Sequence, residues 1–181
     1  MKLFNIHKIP DPILYEKAKE VEMPLSPEKR ELILEMIEYL KASQDDKLAE
    51  KYHIRAGVGI AAPQIGISER FYAVYLKTDD KVYEYGLVNP KIISTSFKKA
   101  YLENGEGCLS VPKDVEGYVY RYYKVTIQAF DVVSNSEVTL RLTGYPAIVF
   151  QHEYDHLDGV LYIDRIDKKD PFKVDPSAVA L

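Results

Sequence analysis

The chain has 181 residues, 46% of them hydrophobic, which suffices for one substantial core and predicts a single domain over residues 1–181. Its formal charge is -4, with 24 Lys and Arg scattered among 28 Asp and Glu, so it lacks the basic footprint of a protein that holds nucleic acid. No apolar run approaches the length of a membrane helix, and Pro10 and Asp11 arrive before a signal-peptide core can form, which predicts a cytoplasmic protein without a membrane anchor.

Ser26-Pro27-Glu28 opens the first predicted helix, with a capping hydroxyl, a proline at the first helical position and an acid near the positive end of the dipole. Leu32, Ile33, Met36, Ile37 and Leu40 recur at helical spacing opposite Glu31, Glu35, Glu38 and Lys41, so one stripe packs on the core. Fraying is expected in the polar stretch near Gln44 to Asp46. The segment GVGIAAPQ at 57–64 matches the spacing of a dinucleotide fingerprint, but a charged stretch precedes it and Pro63 interrupts the helix that should follow. A turn or extended loop is predicted there. From Arg70 onward β-branched and aromatic runs predict strands over Phe71 to Leu76, Lys81 to Val88, Val119 to Phe130 and Glu137 to Leu142, mostly antiparallel. Gly144, Tyr145 and Pro146 break the last of these, and Ala147 to Leu157 has helical composition with Gly159 beyond its end. The order helix, sheet, helix predicts an α+β fold with no repeat and no low-complexity linker.

The strongest chemical signal is His152-Glu153-Tyr154-Asp155-His156 on that last helix. Residues four apart share a helix face, so both imidazoles can grip one metal, and Glu153 beside them can reach a water without coordinating the metal. A catalytic metal usually takes a third protein ligand and keeps an open position. Tyr162 occupies the place of a further His six residues on, and no Glu follows Glu153. The favoured third donor is the lone cysteine, Cys108, in Glu106-Gly107-Cys108-Leu109-Ser110; Asp164 and a plain buried thiol stand as alternatives. His7 and His53 lie outside any ligand spacing and are expected to be surface or packing residues. In GVGIAAPQ the glycines let a substrate backbone approach, and the Gln64 amide can donate to an oxyanion.

Together GVGIAAPQ at 57–64, EGCLS at 106–110 and QHEYDH at 151–156 resemble, in content, order and separation, the three motifs of peptide deformylases. The extended stretch before the first motif, Val88-Asn89-Pro90, Gly117-Tyr118-Val119 and the GYPA approach to the last helix look like the longer bacterial subclass. The resemblance implies antiparallel sheets around a central metal-binding helix, and hydrolysis of the N-formyl group from the formyl-methionine of nascent polypeptides, releasing formate. It implies Fe2+ in the cell, with Ni2+, Co2+ or Zn2+ able to occupy the same site. Carried over by position, Cys108, His152 and His156 look like the metal ligands and Glu153 like the general acid and base. Gln64 and the backbone N–H of Leu109 look like the oxyanion donors. Val58 and Gly59 resemble the strand that pairs with the substrate backbone. Ile148 and Val149, four and three residues before His152, are expected to floor the methionine pocket or to pack the core. Some members of that family carry a long C-terminal helix that docks on the ribosome. Pro171 and Pro176 predict none between Asp170 and Leu181, which leaves direct ribosome contact open. Two competing readings are an endopeptidase with Asp164 as third ligand, and a non-catalytic domain whose metal is closed by a fourth protein ligand.

Overall fold

The computed structural model describes residues 1–181. Helix α1 runs from Pro27 to Ser43, its N-terminus closed by the Ser26 hydroxyl, which accepts from the Lys29 N–H at 3.2 Å. Its stripe of Ile33, Met36, Ile37 and Leu40 is buried as the spacing predicts. Helix α1 ends at the expected polar stretch, with Gln44 as its cap. A second helix, α2 (Asp46–Tyr52), starts at once, because the Asp45 carboxylate accepts from the Leu48 N–H at 3.0 Å. No residue of α2 is buried, so no apolar stripe marked it in the sequence.

GVGIAAPQ is more ordered than a loop. Gly59–Ala61 form strand β1 and Ala62–Ile65 a 3-10 helix, with Pro63 tolerated inside its first turn, where a missing N–H breaks no bond. Strands β2 (Phe71–Lys77) and β3 (Val82–Thr95) follow. Strand β3 continues beyond the expected end at Val88 and passes through Pro90, where its pairing with a later strand, at 124–131, shifts register between Val88 and Lys91. A bulge is where a strand accepts a residue without an N–H. The preceding Asn89 adopts φ 50° and uses its side-chain amide as a substitute strand partner, bonding both polar backbone groups of Val21 at 2.8 and 2.9 Å.

Five more strands complete the sheets. Strand β4 (Lys99–Tyr101) was not apparent from its pattern, and the single run expected over Val119 to Phe130 divides into β5 (Arg121–Tyr122) and β6 (Lys124–Asp131). At Tyr123 the chain changes partners: β5 pairs with β4, whereas β6 pairs with β3 and with β7 (Ser136–Thr143). The five-stranded sheet has the order β1-β2-β3-β6-β7, all antiparallel. The smaller sheet has the order β5-β4-β8, in which β8 (Val179–Ala180), from the proline-punctuated tail, lies parallel to β4.

Helices cover both faces of the large sheet. On β2, Phe71 and Ala73 join the α1 residues in one apolar cluster, while Tyr72, Val74 and Leu76 join the cluster around helix α3 (Tyr145–Leu157). Alternation along a strand sends successive side chains to opposite faces, so a strand buried on both reads as an unbroken apolar run. Phe150 of α3 anchors its cluster by meeting the rings of Tyr72, Tyr83 and Tyr85 edge-on at 6.2, 6.4 and 5.9 Å. With nearly every residue from Pro146 to Leu157 buried, α3 is the central helix of an α+β fold.

Candidate active site

Helix α3 carries the site. It begins after Gly144, at φ 68°, with Pro146 in its first turn, and Gln151 ties it to the small sheet by bonding both backbone polar groups of Tyr122, at 3.0 and 2.8 Å. Next to Gln151 on α3, His152 and, one turn on, His156 stand on the same face, their ring centroids 5.2 Å apart. The loop 106–110 brings the third group: the Cys108 Sγ lies 3.3 Å from His156 Nε2. One donor atom each from Cys108, His152 and His156 lie within 4.8 Å of one another, and all three residues are buried.

The donor set fits a divalent transition metal. His152 Nδ1 is engaged by Glu106 Oε1 at 2.8 Å, which leaves its Nε2 for a metal. Burial disfavours charge on the His152 ring, yet the bonds to Cys108 and Glu106 and the nearby Glu153 charge carry its pKa up to about 10, so a metal that takes its Nε2 displaces a proton from it. Burial and the neighbouring His152 hold His156 well below its ordinary pKa, so its ring is neutral and has a lone pair to give. Thiolate with two imidazoles is a set suited to zinc, iron or nickel. Asp164 does not join it, because its carboxylate accepts from the Leu161 N–H at 2.9 Å at the start of the short helix α4 (Tyr162–Arg165). No fourth His, Cys, Asp or Glu belongs to the cluster. His7 instead pairs with Asp11 at 2.7 Å, and His53 ends α2 in the left-handed region.

A cleft of ≈ 320 Å³ opens onto these donors, and Val58, Gly59, Gln64, Cys108, Leu109, Ile148, Val149, His152 and Glu153 all line it. Of the ten residues given a site role by resemblance, only His156 is not among its lining residues. Burial pushes the Glu153 carboxyl up to about 7 against the pull of His152 and Arg121, and its Oε2 has no hydrogen-bond partner. A carboxyl near neutrality with a free oxygen can both take and return a proton. The Gln64 side chain is fixed at both ends: Oε1 accepts from the Ala61 N–H at 2.9 Å, and Nε2 donates to Ser110 Oγ at 3.1 Å while lying 3.5 Å from Cys108 Sγ. The Leu109 N–H donates to no backbone carbonyl. Strand β1 is the outer strand of its sheet, so its far side is open to another strand.

Several residues with no assigned role in the sequence reading surround the site. Glu106, two positions before Cys108, takes two bonds from Arg121 at 2.8 and 2.9 Å besides its bond to His152. Burial alone would raise the Glu106 carboxyl, but the Arg121 charge and the bonds from His152 and Arg121 hold it at about 2. A lone arginine inside the aromatic run YVYRYY was the available signal, since a charged residue buried in a strand needs partners. Arg55 donates to the carbonyls of Cys108 and Val111 at 3.3 and 3.1 Å, pinning the cysteine loop, and Gln44 donates to the Gly57 carbonyl at 3.0 Å, steadying the approach to β1.

The family model described as polypeptide deformylase matches residues 3–172. A peptide deformylase of Oceanobacillus iheyensis is 53% identical over 164 residues, 90% of this chain and 89% of that protein. Peptide deformylase 2 of Geobacillus stearothermophilus is 48% identical over 179 residues, 98% of this chain and 96% of the relative. Among solved structures, the peptide deformylase of Ehrlichia chaffeensis superimposes with a TM-score of 0.78 at 28% identity, covering 94% of this chain and 91% of that one. That of Thermotoga maritima gives a TM-score of 0.72 at 33% identity, covering 92% and 99%.

Proposed function

Because the chain belongs to the polypeptide deformylase family, metal-dependent hydrolases that remove the N-terminal formyl group, we propose that Cys108, His152 and His156 hold its metal and Glu153 carries its proton. The observation that carries this is the convergence of three buried donors, two of them lining one cleft, with a carboxylate in the same cleft that has a free oxygen. Bound there, a divalent metal would supply Lewis-acid polarisation and a more acidic water at neutral pH. By resemblance to the family the cellular metal is Fe2+, with Ni2+, Co2+ or Zn2+ as substitutes.

The chain's own groups account for the rest of the reaction. Glu153 takes a proton from the water that attacks the formyl carbon, and returns it to the amine as the carbon–nitrogen bond breaks, leaving formate and a free methionyl amine. The Gln64 amide, held beside Cys108, and the Leu109 N–H donate to the oxygen on which negative charge develops. A nascent peptide lies along the open edge at Val58 and Gly59 as an added strand, with its methionine side chain against Ile148 and Val149. A buried thiol among the donors suits the reducing cytoplasm, where new chains are made.

The test is substrate choice. Metal-loaded enzyme should release formate from a formyl-methionyl peptide and turn over the acetylated analogue poorly, because the extra methyl must fit where formyl carries only hydrogen. Equal rates on both would remove this assignment of the cleft.

A further inference from the structure

Behind His152 lies a run of four charges alternating in sign. Glu106 holds the His152 ring and is itself gripped by Arg121; Arg121 Nη1 donates to Asp155 Oδ2 at 2.8 Å; and Arg165, on α4, closes the run with two bonds to Asp155 at 2.5 and 2.7 Å. Arg121 is one cation between two buried carboxylates. Without Arg165, Glu106 and Asp155 would compete for the same guanidinium.

We propose that Arg165 is a positioning residue for the metal centre: by neutralising Asp155 it leaves Arg121 to hold Glu106, and Glu106 to hold the ring of His152. Location separates this role from general support of the fold. The Arg165 side chain is 42% exposed, whereas Arg121 is 2% and Glu106 5% exposed, so removing Arg165 leaves little unfilled space while its charge is lost at the buried end. A ligating histidine depends on the partner of its other nitrogen for tautomer and orientation, so slack introduced at Asp155 reaches the donor atom through three charge-assisted contacts, Asp155 to Arg121, Arg121 to Glu106 and Glu106 to His152. Asp155 lies three residues after His152 on the same helix, so α3 supplies both the ligand and the outer carboxylate.

The inference rests on His152 being a metal ligand, and the test separates the two. Enzyme loaded with Co2+ is challenged with excess chelator while the visible spectrum reports coordination, and metal-free samples are melted in parallel. In Arg165→Gln, cobalt should leave on the order of 10-fold faster, the lower end of the effect of outer partners of a ligand. Its spectrum should shift, and its metal-free melting should change little. Arg165→Lys, which restores the charge, should recover most of the retention. In an Asp155→Asn background, Arg165→Gln should add nothing further. Cobalt retention at the wild-type rate in Arg165→Gln, or failure of Arg165→Lys to improve on it, would overturn the positioning role while leaving the ligand set standing. Failure of the wild-type chain to take up cobalt in a way that Cys108→Ala abolishes would overturn the ligand set, and the role of Arg165 with it.

Discussion

The carboxylate of Glu153 lies against the bare Cα of Gly59, so that a Cβ built on Gly59 would overlap it. Gly59 sits in ordinary strand backbone on β1, so close approach, not an unusual φ, is what requires glycine there. Gly59→Ala should therefore displace Glu153 and lower kcat on the order of 100-fold, the scale of misplacing a reacting group by about 1 Å. Metal content should stay at wild-type level. Elemental analysis and formate release on one preparation check it; an unchanged kcat would show that Glu153 has room to move or does not act.

Glu153→Gln nearly preserves shape and removes the group proposed to carry the proton. Turnover should fall on the order of 100-fold or more with metal and melting temperature retained. Loss of metal together with activity would make Glu153 a ligand or a structural support.

Cys108→Ala removes the one anionic donor of the set, so metal per chain and activity should fall together. Wild-type metal content in this variant would move the third ligand elsewhere.

Stability of the metal-free chain should depend on acid through Glu106. Its folded carboxyl sits at about 2, below the ordinary 4.5, so between those values the unfolded chain binds more protons than the folded one. The contribution is present in full above about 4.5 and is lost as pH falls towards about 2. Thermal melts across that window should show a decline that is reduced in Glu106→Gln; an identical slope in both would place the acid sensitivity on other carboxylates.

Phe150→Ala removes a ring with no exposed surface from between three tyrosines. A loss of about 3–5 kcal/mol is expected from the vanished burial and the cavity left behind, measured by denaturant unfolding. A loss below about 1 kcal/mol would mean that the tyrosines collapse into the gap.

What the sequence determined by itself was whatever a short stretch of chain decides. Ser26-Pro27-Glu28 set the start of α1, and the four-residue interval between His152 and His156 set them on one face with Glu153 beside them, because helix geometry is local. GVGIAAPQ and EGCLS marked the cleft through composition and family resemblance, although β1, α2 and the division of β5 from β6 did not show in periodicity. β1 and β5 are too short to show a period, and α2 has no buried face. Only the tertiary structure decided that Cys108, and not Asp164, meets the histidines, and that Glu106, Arg121, Asp155 and Arg165 form one run of charge. Cys108 is 48 residues from His156, and Arg121 is 34 from Asp155. Such pairs meet because the two sheets and α3 bury their apolar faces together, which fixes distances that spacing along the chain does not encode.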